Sequence, residues 1–152
     1  MTEEIYTEEE AASSEENRNY LTFLSGRLFF AVNTDHVIEI ITSYTLTAIP
    51  LVPDYIRGII NVRGQIIPIL DMRLRLGETA PENPDSGCII ILEVRGERVG
   101  IIVDSVTQVI HLDPSALSPI PVENRQELAN SLFTSPDGAV VLLLNLDALI
   151  QQ

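Results

Sequence analysis

The chain contains no lysine, a single cysteine, and no apolar run approaching the roughly 20 residues that a membrane-spanning helix needs. Each gap removes a class of protein. One cysteine cannot form an internal disulfide, and the N-terminal stretch MTEEIYTEEEAASSEENR has neither the cationic start nor the apolar core of a secretory signal. The expected compartment is therefore the reducing cytoplasm. Positive charge is also scarce: 9 basic residues face 22 acidic ones, for a net charge of -13. That balance repels nucleic-acid phosphates and anionic lipid, so neither nucleic acid nor direct membrane insertion is expected.

The usual signatures of chemistry are missing too. The glycines match neither a dinucleotide-binding fingerprint nor a phosphate-binding loop, and Ser105 and Ser131 lack a nucleophile elbow. His36 and His111 have no second histidine or cysteine at ligand spacing, so no metal is expected. Cys88 opens the apolar run CIIILEV with no basic neighbour to lower its pKa, which reads as a buried, inert thiol. Three carboxylates, Asp71, Asp104 and Asp147, end apolar strands in the contexts PILD, IIVD and LNLD. Strand-end carboxylates can act as acid/base pairs, and a small carboxylate-dependent enzyme is the rival reading they support. Each is better placed to cap a following turn. No cofactor and no catalytic residue is expected.

What is present is a regular series of short β-rich runs. They fall at 20–24, 27–32, 37–42, 58–62, 65–70, 88–94, 99–103, 106–110 and 139–144, with glycine-containing turns and no helix-length amphipathic segment between them. This pattern predicts an all-β architecture of small closed or nearly closed barrels. Helical signals are brief: Pro53 to Arg57, Asp71 to Leu76, Asn124 to Leu132, and a last short helix from Asp147. Residues 1–18 carry seven glutamates against one arginine and are expected to form a disordered acidic tail. The polar segment ETAPENPDSG, 78–87, divides the rest near its middle.

The two halves resemble each other. At an offset of 69, Asp35, Val37, Ile40 and Ile41 align with Asp104, Val106, Val109 and Ile110, and GQIIPILD from Gly64 resembles GAVVLLLN from Gly138 at an offset of 74. If the repeat is real, the molecule is two barrels side by side with a groove between them.

One stretch stands out against the acidic background. PDYIRGIINVRGQIIPILDMRLRLG, 53–77, packs Arg57, Arg63, Arg73 and Arg75 into an otherwise apolar run. Arginine is favoured over lysine where a planar fork must meet a carboxylate or stack on a surface, so the cluster points to contact with another protein. Arg63 precedes Gly64 at an expected hairpin tip, held outward on a rigid turn where binding costs little entropy. Tyr55 beside Arg57 adds an aromatic neighbour of the kind enriched at interfaces.

The same stretch resembles the signature of CheW-like chemotaxis coupling domains, in which a proline, an apolar-x-Gly turn, Asn-x-Arg-Gly and an apolar Pro-x-x-Asp follow in this order. The resemblance continues in VGIIVDSV from Val99 and in LLLNLDALI from Leu142, and covers nearly everything from Tyr20 to Ile150. It implies two five-stranded SH3-like barrels, the first at about 19–77 and the second at about 88–145, joined by a linker at 78–87 and followed by a short helix at 146–152. It further implies a non-enzymatic adaptor that joins the cytoplasmic tip of a chemoreceptor, a methyl-accepting chemotaxis protein, to a CheA-type histidine kinase. By motif position, Glu39, Gly58 and Arg63 fall where the family meets the receptor, with Val106 and Val109 on the matching strand of the second half. Tyr55 and Arg57 are candidates for a further partner contact. Between Ile110 and Ala139 the family's apolar-x-Gly turn is not evident, and the missing lysines and acidic tail are unusual. These departures leave room for an adaptor in a pathway for pili or surface behaviour, or for a decoy that binds kinase without coupling it.

Overall fold

The structure, a computed structural model, describes residues 17–78, 87–121 and 128–150. In chain order the elements are β1 (Asn19–Ser25), β2 (Leu28–Asn33), a 3-10 turn at Thr34–His36, β3 (Val37–Ile41), β4 (Ile56–Val62), β5 (Gln65–Asp71), α1 (Met72–Arg75), β6 (Cys88–Val94), β7 (Glu97–Val103), β8 (Ser105–His111), a 3-10 turn at Pro114–Ala116, β9 (Ser118–Pro119), β10 (Ala129–Thr134), β11 (Val140–Leu144) and α2 (Leu146–Ile150). Among the described residues no helix is long and apolar enough to cross a membrane.

The strands form two sheets, ordered β9-β10-β11-β2-β1-β8 and β3-β6-β7-β5-β4. In the five-stranded sheet, β3 leaves one edge at Ile41 and the same chain returns at Thr47 to pair with Ile59 on the opposite edge strand, through hydrogen bonds of 3.0 and 2.9 Å. The other sheet repeats this layout: β8 leaves one edge and its continuation returns as β9 beside β10. Each sheet thus curls back on itself as a small barrel, which removes most of the exposed edge that an open sheet would offer to other chains.

The internal repeat is written in the strand register. Tyr20 pairs with Ile110, and 69 residues from each, Ile89 pairs with Ile41. Phe23 pairs with Val106 as Leu92 does with Val37, and the same irregularity precedes both pairs. The parallel contacts also correspond, Leu143 with Ala31 and Ile69 with Gly100.

The division into a barrel at 19–77 and another at 88–145 is not how the strands pair. The N-terminal hairpin β1–β2 sits between β8 and β11, inside the sheet of the second half. Hairpin β6–β7 correspondingly sits between β3 and β5 of the first half. Alternation and turn residues specify which side chains are buried and which strands form hairpins, but a parallel or long-range partner leaves no local mark. Of the expected linker, 79–86 lie outside the described residues.

The exchange determines where the core lies. The largest apolar cluster occupies the space between the two sheets and joins Phe23 and Phe30 of the N-terminal hairpin to Ile90, Leu92 and Ile101 of the other hairpin and to Leu144 and Leu149 near the C-terminus. Phe23 and Phe30 stack with ring centroids 5.6 Å apart. Most of the interface that was expected to be a groove is therefore packed. Two smaller clusters fill the barrel interiors: Ile60, Ile67, Ile69, Ile89, Ile91 and Ile102 in the five-stranded one, and Ala31, Leu112, Phe133 and Val141 in the six-stranded one.

Local expectations fare unevenly. Asp71 caps α1, accepting from the backbone N–H groups of Arg73 and Leu74, and the last helix forms as Leu146–Ile150. Pro53 to Arg57 is only a turn closed by Ile56 N donating to Pro53 O. The expected helix at 124–132 is corrected: 124–127 lie outside the described residues, and Ala129 onward is strand β10, where the ladder to β11 overrides weak local helix preference. Of the expected tail, 1–16 lie outside the described residues, whereas Asn17 and Arg18 belong to the fold. Asn17 Nδ2 donates to Thr34 Oγ1 and Asp35 Oδ1, and Arg18 O accepts from Leu112 N.

Because each barrel takes a hairpin from the other half, fragments 1–81 and 82–152 should show no cooperative thermal transition when separate and should regain one when mixed. Circular dichroism melts of the fragments check this; a cooperative melt from either fragment alone would contradict the obligatory exchange.

Candidate partner-binding site

Hairpin β4–β5 turns through Arg63 and Gly64, with φ of 51° and 84°. Two successive positive φ values give the tight turn whose twist matches paired strands, and Gly64 N donates to Asn61 Oδ1 to hold it. The turn aims Arg63 at β3, on the opposite edge of the sheet. There Nη1 and Nη2 donate to Glu39 Oε1 and Oε2 at 2.8 and 3.2 Å, a two-point fork that ties both edges together. The Arg63 side chain is 73% exposed and that of Glu39 28%. The Arg63 guanidinium holds the Glu39 carboxyl below its ordinary pKa, so the pair is complete at neutral pH. As an exposed pair it contributes little to stability; what it provides is a charged group held in one place.

Gly58, expected in the site, is buried in β4 and takes part indirectly. Its φ is 145°, and a Cβ there would lie 2.4 Å from Thr47 O. The absent side chain is what allows the chain from β3 to approach β4 and close the barrel behind Arg63. At the equivalent place in the other barrel, Ser131 pairs with Leu143 as Gly58 does with Ile69, with the same register shift beside it. The strand therefore forms without the glycine whose absence from the sequence was noted.

The remaining arginines of the basic cluster work within the molecule, which corrects the expectation that the cluster as a whole meets a partner. Arg57 reaches Asp71 at 2.8 Å, and that carboxylate is 2% exposed. Removing one member of so buried a pair costs on the order of 3–5 kcal/mol, because the other charge is left unpaired. Arg73 forks onto Asp104 at 3.0 and 2.7 Å, and Asp104 also accepts from Gly26 N at 2.9 Å, fastening α1 to both hairpins. Arg75 lies over the Tyr55 ring, 5.1 Å from its centroid, and donates to Ala148 O. Tyr55 and Arg57 are thus partly buried structural residues, and Arg63 alone of the four is largely exposed.

Val106 and Val109 lie on β8, in the other barrel. Val106 packs against the main core next to Phe23, while Val109 is 57% exposed. Val109 pairs with Leu21 as Ile40 pairs with Ile90, so Ile40 is the register equivalent of Val109 and is likewise exposed. Ile66 and Val140 form a second exposed pair, across from Asn61 and Thr134. The structure thus unites Glu39 and Arg63 but places Val106 and Val109 on the other sheet. Ile40 was overlooked, although the offset that aligns it with Val109 was already visible.

Nothing in this arrangement resembles an acid/base pair. Asp71, Asp104 and Asp147 are each matched by a separate arginine, Arg57, Arg73 and Arg95. Only Asp71 caps a turn in the expected way; Asp104 binds Arg73 instead, and Asp147 sits in the first turn of α2. Among the described residues no three His, Cys, Asp or Glu side chains gather as a metal site would require. His36 Nδ1 meets Glu93 O, and burial pushes the Cys88 thiol pKa up, away from the reactive thiolate.

Two outcomes test this assignment. Gly58→Ala should cost about 3 kcal/mol or more, from strain plus collision with backbone, whereas Gly64→Ala, with open space around it, should cost only about 1 kcal/mol from its positive φ; denaturant titrations of both variants measure the difference. The second is a titration. A carboxyl whose folded pKa is depressed stabilises the fold above its unfolded value, and that contribution is lost as pH falls through the folded value. Carbon-detected NMR of Glu39 should therefore give a midpoint below that of ordinary glutamate, returning to the ordinary range in Arg63→Ala.

This geometry has close counterparts. The family model for the CheW-like domain matches residues 19–152. The probable chemotaxis protein CheW of Rhizobium etli is 30% identical over 139 residues, covering 90% of this chain and 89% of that protein. The chemotaxis protein CheW of Rhizobium meliloti is 31% identical over 134 residues, 86% of each chain. Among solved structures, the scaffolding protein TtCheW from Thermoanaerobacter tengcongensis superposes with a TM-score of 0.78 at 27% identity, covering 86% of this chain and 90% of that one. With the fold, the exchanged hairpins and the Arg63 turn in common register along nearly its whole length, the chain belongs to the CheW-like domain family, a family of adaptors and scaffolds and not of enzymes.

Proposed function

We propose that this protein is a cytoplasmic chemotaxis adaptor that couples the cytoplasmic tip of a chemoreceptor, a methyl-accepting chemotaxis protein, to a CheA-type histidine kinase, with residues 19–152 acting as one domain. The observation that carries the reading is the Arg63–Glu39 fork: a guanidinium left 73% exposed at a rigid turn while the other three arginines of its segment are drawn into the fold. Such a group pays little entropy on binding and still offers donors to a partner carboxylate. Glu39 and Arg63 form the receptor contact on one barrel, Val106 and Val109 extend it on the other, and Gly58 supports it from beneath. Tyr55 and Arg57 act through the packing of β4 and α1. The chemotaxis relatives and the scaffolding protein of similar structure support a role that consists of binding alone.

A bivalent scaffold raises the local concentration of one partner near the other, and in excess it separates them. In a reconstituted phosphorylation assay, the protein added to cognate kinase and receptor fragments should raise kinase autophosphorylation, then lower it again at high adaptor concentration. Omitting either partner should abolish the gain. Arg63→Ala should fold normally and bind a receptor-tip fragment more than about tenfold more weakly. Kinase binding without any stimulation would identify a decoy, and wild-type receptor affinity in Arg63→Ala would remove that residue from the site.

A further inference from the structure

The two barrels are built alike but end differently at one mouth. In the five-stranded barrel Glu39 lies opposite Ile91 and is spanned by Arg63 from the hairpin tip. In the six-stranded barrel the corresponding pairing is Gln108 opposite Thr22, and the facing hairpin, with Pro136 and Asp137 at its tip, carries no arginine. Two interior positions are also reduced in size. Thr22 and Val141 occupy the register places of Ile91 and Ile67, both of which are fully buried in the other barrel. Where the latch and those methyl groups are missing, a cavity of about 580 Å³ opens between β8 and hairpin β10–β11.

We propose that this cavity is a binding site for a small amine with an aromatic or branched apolar body. Its size lies within the roughly 300–1,000 Å³ typical of small-molecule sites, and like them it combines an apolar floor with a few polar groups at the rim. Phe29, Ile110, Phe133 and Val141 make the floor. The charged groups at the rim are Asp113, Asp137 and His111. Asp113 is held by Ser115 and by Arg18 at 3.5 Å, Asp137 accepts from Ser135 Oγ and Ala139 N, and His111 Nδ1 faces Asn19 Oδ1. Acceptors predominate, in a chain without a lysine to fill the mouth from within. A ring on the floor with its ammonium near Asp137 and the Gln108 amide satisfies both parts. Gln108 and Ile110 line the cavity while Val109, between them, faces away from it, so this site is separate from the proposed receptor contact and does not depend on it.

The test uses the full chain at neutral pH with three probes of one shape, 2-phenylethylamine, 2-phenylethanol and phenylacetate, titrated by amide NMR. Saturable shifts confined to β1, β2, β8 and β10–β11 are expected in the ~millimolar range for so small a ligand. The amine should bind about two- to fivefold more tightly than the alcohol, the gain of one exposed ion pair, and the carboxylate most weakly. Asp137→Asn should erase the amine's advantage and leave the alcohol unchanged. Val141→Phe, or Ala139→Trp at the rim if the first variant is unstable, should abolish all three. The proposal is overturned by shifts that do not saturate, by equal affinity for the three probes, or by undiminished binding in a folded variant with the cavity filled.

Discussion

Each barrel of this protein is completed by a hairpin from the opposite half of the chain, and nearly every other feature depends on that exchange. Hairpin β1–β2 must lie between β8 and β11, and β6–β7 between β3 and β5, before any strand of the interior has both its neighbours. Residues Cys88–Val94 illustrate the consequence, with all but one position buried, because one face meets the barrel interior and the other the core between the sheets. A strand apolar on both faces would be a liability at an edge; between two neighbours and two cores it holds the molecule together.

Charge placement follows from the same geometry. In a chain of net charge -13, most positive groups of the central segment are drawn to carboxylates that mark strand ends: Asp71 at the end of β5 and Asp104 between β7 and β8. These two pairs brace α1 and the N-terminal turn at the junction of the barrels, where the chain passes from one sheet to the other. Planar forks suit this task, since each guanidinium engages its carboxylate in a fixed geometry while its stem covers apolar surface. Arg63 differs because its partner is solvent-facing and its turn is rigid, which leaves the charge positioned but not consumed.

The pseudo-symmetry also shows how one framework supports unlike surfaces. Equivalent register positions hold Glu39 and Gln108, Gly58 and Ser131, Ile40 and Val109. The exposed apolar positions are kept in both barrels, whereas the charged latch is kept in one. A scaffold that must meet different partners on its two sides needs this kind of divergence, and the repeated backbone supplies it without altering the fold.

Much was legible from the residues alone, for physical reasons. The apolar alternation of β1 to β8, the turn chemistry of Arg63–Gly64 and the cap at Asp71 are local properties, set by side-chain period and backbone preference, and they appeared in the sequence at nearly their observed limits. So did the absence of catalytic or metal-binding spacing. Strand β10 did not, because its stability comes from the ladder to β11 and not from its own residues. The exchange of hairpins, the burial of Gly58 beneath Thr47, and the pairing of Arg57 and Arg73 with Asp71 and Asp104 were decided only in three dimensions. Each joins groups separated along the chain, and such contacts depend on which strand lies beside which, a choice that local periodicity leaves open and that burial of the shared core makes.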